Sequence, residues 1–179
     1  MKRVTIVGPS GSGKSTLARQ AGSLFHLPVF HMDQLFFDPG WVEKSKERLA
    51  ESVESILEAN DEWVIEGNYS GTLKSRLAQS THVIILDYPR YLYVYRVLKR
   101  VLTSYGKVRE DMAPGCPERI DLAFLKYVWN FKTRRREKLL QTVQRHLPET
   151  CELIVFKKTA ECEYYLKTIL EKESSNYIG

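Results

Sequence analysis

A chain of 179 residues, 43% hydrophobic and 27% charged, has the length and balance of one soluble globular domain, read as spanning residues 1–179. No uncharged apolar stretch approaches the roughly 18 residues that span a bilayer, and Lys2-Arg3 leads into a glycine-rich loop rather than a cleavable signal, so the expectation is a cytoplasmic protein with no membrane partner. Three cysteines, Cys116, Cys151 and Cys162, without C-x-x-C spacing, argue for reduced thiols and against a disulfide framework or a zinc site. The net charge of +5 is unevenly placed, with six basic and no acidic residues from 88 to 109 and a second cluster at Lys132, Arg134, Arg135, Arg136 and Lys138. Such density suits nucleic-acid phosphates or a triphosphate in transfer, and composition does not choose between them.

In chain order, residues 2–7 contain the apolar run Val4-Thr5-Ile6-Val7, which reads as a buried first strand. Directly after it stand Gly8, Pro9, Ser10, Gly11, Ser12, Gly13, Lys14, Ser15 and Thr16, a complete phosphate-binding loop of the form G-x-x-x-x-G-K-[ST]. Its fixed positions would arise by chance in well under roughly 1% of chains this long, so the loop is read as a nucleoside triphosphate site. Glycine lets the backbone turn tightly with N–H groups aimed inward, and a helix expected over residues 14–25 adds a dipole end of roughly half a positive charge. Lys14 supplies a mobile charge for the β- and γ-phosphates, and the Ser15 hydroxyl suits a Mg²⁺ that bridges them.

A second strand is expected over residues 29–33, ending His31-Met32-Asp33. Asp33 suits either a functional role, taking a proton from an acceptor hydroxyl or joining the metal shell, or a structural one as a helix cap. His31 reads as a satisfied core histidine. Phe36, Phe37 and Trp41 suit stacking on a planar acceptor, though aromatic clusters of this kind more often build a core. An amphipathic helix over residues 43–58 puts Leu49, Val53, Ile56 and Leu57 on one face. The third strand, residues 62–66, ends in Glu66, a carboxylate placed to orient the metal, or else to cap a helix or pair with a lysine.

The fourth strand is expected over residues 82–87, after which Pro89 opens a helix with Leu92, Val97, Leu98, Val101 and Leu102 as its apolar positions. Arg96 and Arg100 share one face of it. Residues 103–120, with Gly106, Pro114, Gly115 and Pro117, form the one long irregular segment, expected as a lid bearing Arg109. Asp121 reads as the N-cap of a long helix reaching about residue 146, with Arg134 to Arg136 on it, and residues 152–156 as the fifth strand. One well-placed arginine contributes about 10³ to 10⁵ in rate to phosphoryl transfer, and Arg109 and Arg136 are the foremost candidates. Strands alternating with helices call for an α/β fold, a mainly parallel sheet with helices on both faces and ligands at the carboxyl ends of the strands.

The phosphate loop, Glu66-Gly67-Asn68-Tyr69, Leu86-Asp87-Tyr88-Pro89-Arg90, the arginine-bearing helix and the lid resemble the adenylate kinase-like branch of P-loop proteins. More closely, Gly40-Trp41-Val42, Glu66-Gly67-Asn68-Tyr69-Ser70 and Asp111-Met112-Ala113-Pro114-Gly115-Cys116-Pro117-Glu118 resemble the DNA topology modulation proteins of FlaR type, over nearly the whole chain to about Leu170. The resemblance implies a three-layer α/β/α P-loop NTPase fold, a five-stranded sheet in the order 2-3-1-4-5 and a helical lid closing over ATP and Mg²⁺. It implies an acceptor pocket between Asp33, Trp41, Asn68 and Tyr69, with Arg96 and Arg100 at the lid base gripping the nucleotide. Adenylate kinases carry Asp-Gly-Phe-Pro-Arg where this chain has Glu66 to Ser70, so the arginine that grips an acceptor monophosphate is missing unless Arg76 replaces it. Zinc-lidded adenylate kinases use four ligands, and this lid has Cys116 alone.

The leading expectation is an ATP-dependent small-molecule phosphotransferase with an unidentified acceptor. The alternative is a nucleotide-dependent DNA-binding regulator using the basic residues of 90–109 and 132–138, for which the chain carries no DNA-reading helix pair, zinc finger or catalytic tyrosine motif.

Overall fold

The computed structural model describes residues 2–176, with side chains to residue 169. The elements run β1 (Arg3–Val7), α1 (Lys14–Phe25), β2 (Val29–His31), α2 (Met32–Phe36), β3 (Phe37–Asp38), β4 (Val42–Glu43), α3 (Lys46–Ala59), β5 (Trp63–Glu66) and α4 (Ser70–Gln79). They continue with β6 (His82–Leu86), α5 (Arg90–Ser104), α6 (Leu122–Arg134), α7 (Arg136–His146), β7 (Glu152–Phe156) and α8 (Thr159–Asn176). The five main strands pair in parallel in the order β2-β5-β1-β6-β7, the expected 2-3-1-4-5 arrangement. β1, β5 and β6 are apolar on both faces because helices cover both faces. Leu17, Ala18 and Ala21 of α1 and Cys162 of α8 pack on one side, and Leu73 and Leu77 of α4 with Val143 of α7 on the other. α3 extends this second layer through Leu49, Val53 and Leu57 against Trp63 and Ile65. No helix among the described residues is long and apolar enough to cross a membrane.

Four local expectations change. The second strand stops at His31, and Asp33 lies in the first turn of α2 rather than on the strand. A short antiparallel hairpin, β3 with β4, follows it and turns at Gly40 and Trp41, whose φ of 66° is left-handed. α3 therefore begins only at Lys46, where the Ser45 hydroxyl accepts from the Arg48 amide. The expected long helix is two: Asp121 caps α6, as its composition suggests, but the chain breaks at Arg135 (φ −124°, ψ −29°) before α7.

On α5 the buried positions are Tyr93, Val97 and Val101, while Leu98 and Leu102 are exposed, Leu102 at 80%. The phosphate loop and α6 cover that face together, α6 through Val128, Phe124 and Leu125. Gly11 (φ 81°) sits so close to α5 that an added Cβ would lie 2.4 Å from the Tyr93 carbonyl oxygen, so the Tyr93 and Val97 face is pressed on the loop. The expected lid segment, residues 103–120, is folded inward: Met112, Ala113 and Cys116 are buried against Phe37 and Trp41 of the hairpin.

Candidate active site

The β1–α1 turn places the phosphate loop at the carboxyl end of the sheet. Gly13 (φ 97°) is the N-cap of α1, so the amides of the first helical turn face the loop cavity, a ready site for phosphate oxygens. Lys14 Nζ donates to the Pro9 carbonyl across the loop at 3.3 Å, and the Ser12 amide donates to the same oxygen at 3.1 Å. The loop is stapled from outside by Asn68. Its Oδ1 accepts from the Gly8 amide at 3.0 Å and its Nδ2 donates to the Gly8 carbonyl at 2.9 Å, as a neighbouring strand would. That amide is bound to the Gly8 backbone and contacts Tyr127, so Asn68 braces the loop.

Next to the loop, β5 ends in Glu66, 3% exposed. Its Oε1 accepts from the Ser15 hydroxyl at 2.9 Å and from His31 Nδ1 at 2.9 Å. Burial works to raise this carboxyl. The His31 hydrogen bond, Lys14 and the Ser15 hydroxyl outweigh it, leaving Glu66 below the ordinary carboxylate range and ionised. The sequence reading of His31 as a core residue is right about its burial and misses its partner, which is the site carboxylate itself. Gly67 (φ 129°) follows because a Cβ there would fall 2.7 Å from the Met32 Cβ, so β5 turns sharply over α2.

That turn brings Tyr69 to Asp33: the phenol donates to Asp33 Oδ1 at 2.6 Å. Tyr69 itself holds φ 23°, ψ 81°, a strained conformation for a non-glycine residue, of the kind that clusters where geometry matters for function. Burial, and then the nearby Glu66 carboxylate, raise Asp33 above the usual aspartate range, against the opposing pull of Tyr69, Lys14 and Arg109. A carboxylate in that state is a better proton acceptor than an exposed one.

The irregular segment 103–120 reaches the same place. Arg109 donates to Asp111 Oδ2 at 2.7 Å and to Glu118 Oε2 at 2.9 Å, while Arg100 donates to Glu118 Oε1 through Nε at 3.1 Å and Nη2 at 3.0 Å. Asp111 is 6% exposed. Burial works to raise its carboxyl, but Arg109 and the adjacent Ser15 hydroxyl hold it below the usual range. The segment thus delivers a cation and an anion to Ser15, and the anion was not anticipated. Its sequence signal was present, since an acid two residues from the lid arginine can pair with it.

Other candidates sit elsewhere. Trp41 serves the lid: its indole Nε1 donates to the Pro117 carbonyl at 3.1 Å, its amide to Cys116 Sγ at 3.4 Å, and its ring packs edge-on to Phe37. Arg76, 0% exposed, is a correction to the sequence reading. Its guanidinium donates to the Gly67 carbonyl at 2.8 Å and the Asn68 carbonyl at 2.9 Å beneath the β5 turn, where no acceptor reaches it. Arg136 is a second correction, clamped on Asp87 by Nε at 2.8 Å and Nη2 at 2.6 Å at the start of α7, bracing the end of β6 rather than facing the phosphates. Arg96 bridges the Ser12 carbonyl and the Thr159 hydroxyl, both at 3.2 Å, with Tyr88 under its guanidinium, so it ties the loop to the β7–α8 turn.

The donor set fits the groups that the sequence reading expects. No cluster of three or more His, Cys, Asp or Glu side chains among the described residues is arranged to hold a metal by itself. Ser15 and Glu66 offer a hydroxyl and a carboxylate 2.9 Å apart, all oxygen, which suits Mg²⁺ that keeps most of its shell as water and phosphate. The loop amides and Lys14 suit the phosphates of ATP.

No family model matches the chain, and no curated protein matches it by sequence. Among solved structures it is similar to a shikimate kinase from Acinetobacter baumannii in complex with shikimate, at TM-score 0.57 and 18% identity over 100% of this chain and 96% of that one. It is also similar to a shikimate kinase from Bacteroides thetaiotaomicron, at TM-score 0.55 and 14% identity over 97% and 98%. A gluconokinase from Sinorhizobium meliloti 1021 matches at TM-score 0.50 and 15% identity over 99% and 95%. The architecture is accordingly the P-loop α/β fold of these small-molecule kinases, spanning the whole chain.

Proposed function

We propose that this protein is an ATP-dependent phosphotransferase acting on a small-molecule hydroxyl. The observation that carries the reading is the pair Tyr69–Asp33, which sets a carboxylate of raised basicity within the field of Lys14, Glu66 and Arg109 at the mouth of the phosphate loop. ATP would supply the phosphoryl group, and Ser15 and Glu66 would hold a Mg²⁺ that offsets the phosphate charge. The loop amides and Lys14 hold the β- and γ-phosphates. Tyr69 occupies Oδ1 of Asp33, which leaves Oδ2 to take the acceptor's proton as its oxygen bonds to the γ-phosphorus and the bond to the departing diphosphate breaks. In this reading Arg109, held by Asp111 and Glu118 and felt by Asp33, offsets the charge that develops on the transferred group. Arg96, bonded to the Ser12 carbonyl and the Thr159 hydroxyl, marks the flank of the loop that this reading gives to the nucleobase.

The segments resembling the DNA topology modulation proteins build the hairpin, the Glu66 turn and the lid, so we read that resemblance as one between kinase-like sites. Three basic residues of the DNA-binding alternative are already engaged by carboxylates, Arg100 and Arg109 by Glu118 and Asp111 and Arg136 by Asp87, which leaves Arg134 and Arg135 of the second cluster without an ion pair among the described residues. Paired cations release fewer counterions from DNA.

The test is acceptor-stimulated ATP consumption across hydroxylated acids, sugars, nucleosides and nucleotides, with Lys14→Met and Asp33→Asn as controls. Stimulation lost in both variants is expected. ATP binding without stimulation by any acceptor refutes the reading, and DNA affinity falling steeply with salt favours the regulator.

A further inference from the structure

We propose that the acceptor is a small hydroxylated anion, bearing a carboxylate or phosphate near its reactive hydroxyl, and that Arg135, flanked by Lys126 and Arg134, receives the negative group. The inference rests on the phosphotransferase reading and adds the substrate class to it. A cleft of about 240 Å³ opens along α6 between Ala123, Lys126, Tyr127, Asn130, Arg134 and Arg135, with three cations and no acid in its lining.

The cleft is tied to the reaction centre by Tyr127, whose side chain lies beside Asn68 and within the field of Asp33. On the ring of that same tyrosine rests the Arg135 guanidinium, 4.6 Å from the centroid, while Phe124 lies nearly parallel to the ring at 6.2 Å. The break between α6 and α7 falls at Arg135, in a run without glycine or proline. Its consequence is to leave Arg135 stacked on Tyr127.

Charge state separates these cations from their neighbours. Arg100, Arg109 and Arg136 each face a carboxylate, whereas Lys126, Arg134 and Arg135 have no ion pair among the described residues. A stacked guanidinium with its N–H edge unspent is suited to a bidentate anion. Tyr127 contacts Asn68, the neighbour in sequence of the Tyr69 that bonds Asp33, so the cleft adjoins the acceptor side of the site and favours a compact acceptor carrying both hydroxyl and anion. A neutral polyol would offer these exposed cations no opposite charge, whereas a carboxylate or phosphate would.

The test is calorimetric binding in the presence of Mg²⁺ and a non-hydrolysable ATP analogue, using matched pairs: D-gluconate against D-sorbitol, shikimate against its methyl ester, and glycerol 3-phosphate against glycerol. The expected result is that at least one charged member binds tenfold or more tightly than its neutral counterpart. Arg135→Leu should erase that gap, Arg135→Lys should restore part of it, and the ATP analogue, measured alongside, reports folding. The carboxylate and phosphate arms identify which anion is preferred. Equal affinity within every pair, no binding by any charged member, or a gap that survives Arg135→Leu and Lys126→Leu overturns the inference. Turnover on the same panel keeps the two readings apart: neutral and charged members stimulating ATP consumption equally leaves the phosphotransferase standing and removes the anion site. Arg135-dependent binding without turnover does the reverse.

Discussion

Replacing Arg76 by methionine tests whether this side chain serves the fold or the acceptor. The guanidinium makes two short bonds, to the Gly67 and Asn68 carbonyls, and two long ones at 3.4 Å, to the carbonyls of Tyr69 and Thr72. Methionine keeps much of the aliphatic volume and orphans two buried carbonyls, at about 1 to 3 kcal/mol each. Part of that loss is offset, because a buried cation, whose pKa burial lowers to about 10, no longer has to be desolvated. A net loss of about 3 kcal/mol follows, and for a chain of this size that is about 6 to 12 °C in Tm. The turn it releases carries Asn68 and Tyr69, so kcat should fall as well, with acceptor KM changing little. Scanning calorimetry and steady-state kinetics on the same preparation read both. A variant with unchanged Tm and a greatly raised acceptor KM would refute the reasoning and return Arg76 to the substrate.

Three further outcomes are expected. Asp33→Asn should lower kcat by about 10² to 10⁴; in the parent protein, activity should fall on acidification at a pH above the ordinary aspartate range, because burial and Glu66 raise this group. The stability sign follows the same shift: the contribution is present at low pH and is lost as pH climbs through the raised folded value, so the variant's Tm advantage should grow from acid toward neutral pH, and a constant difference would contradict it. Asp111→Asn removes the lid carboxylate beside Ser15 while Glu118 still holds Arg109, and should weaken binding of a Mg²⁺-loaded ATP analogue about tenfold; affinity equal to the parent's at every Mg²⁺ concentration would exclude that role. Trp41→Phe deletes the indole donor to the Pro117 carbonyl, about 1 kcal/mol, and should speed proteolytic cleavage within residues 103–120 several-fold, with no acceleration counting against the docking described here.

Much of this architecture was readable beforehand because it is written in periodic, local signals. β1, β5, β6 and β7 are apolar runs bounded by turns, and the phosphate loop is set by glycines whose backbone angles no other residue tolerates well. What was not readable depends on where a polar side chain turns. Arg76 and Asn68 both end on backbone carbonyls or amides, and a donor aimed at backbone looks the same in sequence as one aimed at a ligand. The β3–β4 hairpin has strands of two residues, too short for any alternation to register. On α5 the tyrosine at 93 is buried and the leucines at 98 and 102 are not, because the phosphate loop and α6 cover one stripe of the helix whatever the hydrophobicity of its edges. His31 and Asp111 were passed over because each acts through a partner far away in the chain, Glu66 and Ser15.

These long-range partners close a circuit. Asp33 opens α2, and α2 runs into the hairpin whose Gly40 amide donates to the Gly115 carbonyl and whose Asp38 carbonyl accepts from Cys116 Sγ. From α2 itself, the Gln34 side chain donates to the Glu110 carbonyl. The segment so held carries Arg109 and Asp111 back to Ser15, beside the Glu66 that His31, the residue just before α2, also contacts. Displacing α2 therefore acts on both the hairpin and the lid residues, because hydrogen bonds join α2 to the hairpin and to Glu110, and the hairpin to Gly115 and Cys116. For the phosphotransferase proposed above, linkage makes the effect reciprocal: whatever an acceptor gains from the lid residues over the loop, the nucleotide gains from a bound acceptor, and an acceptor that completes the enclosure limits phosphoryl transfer to water.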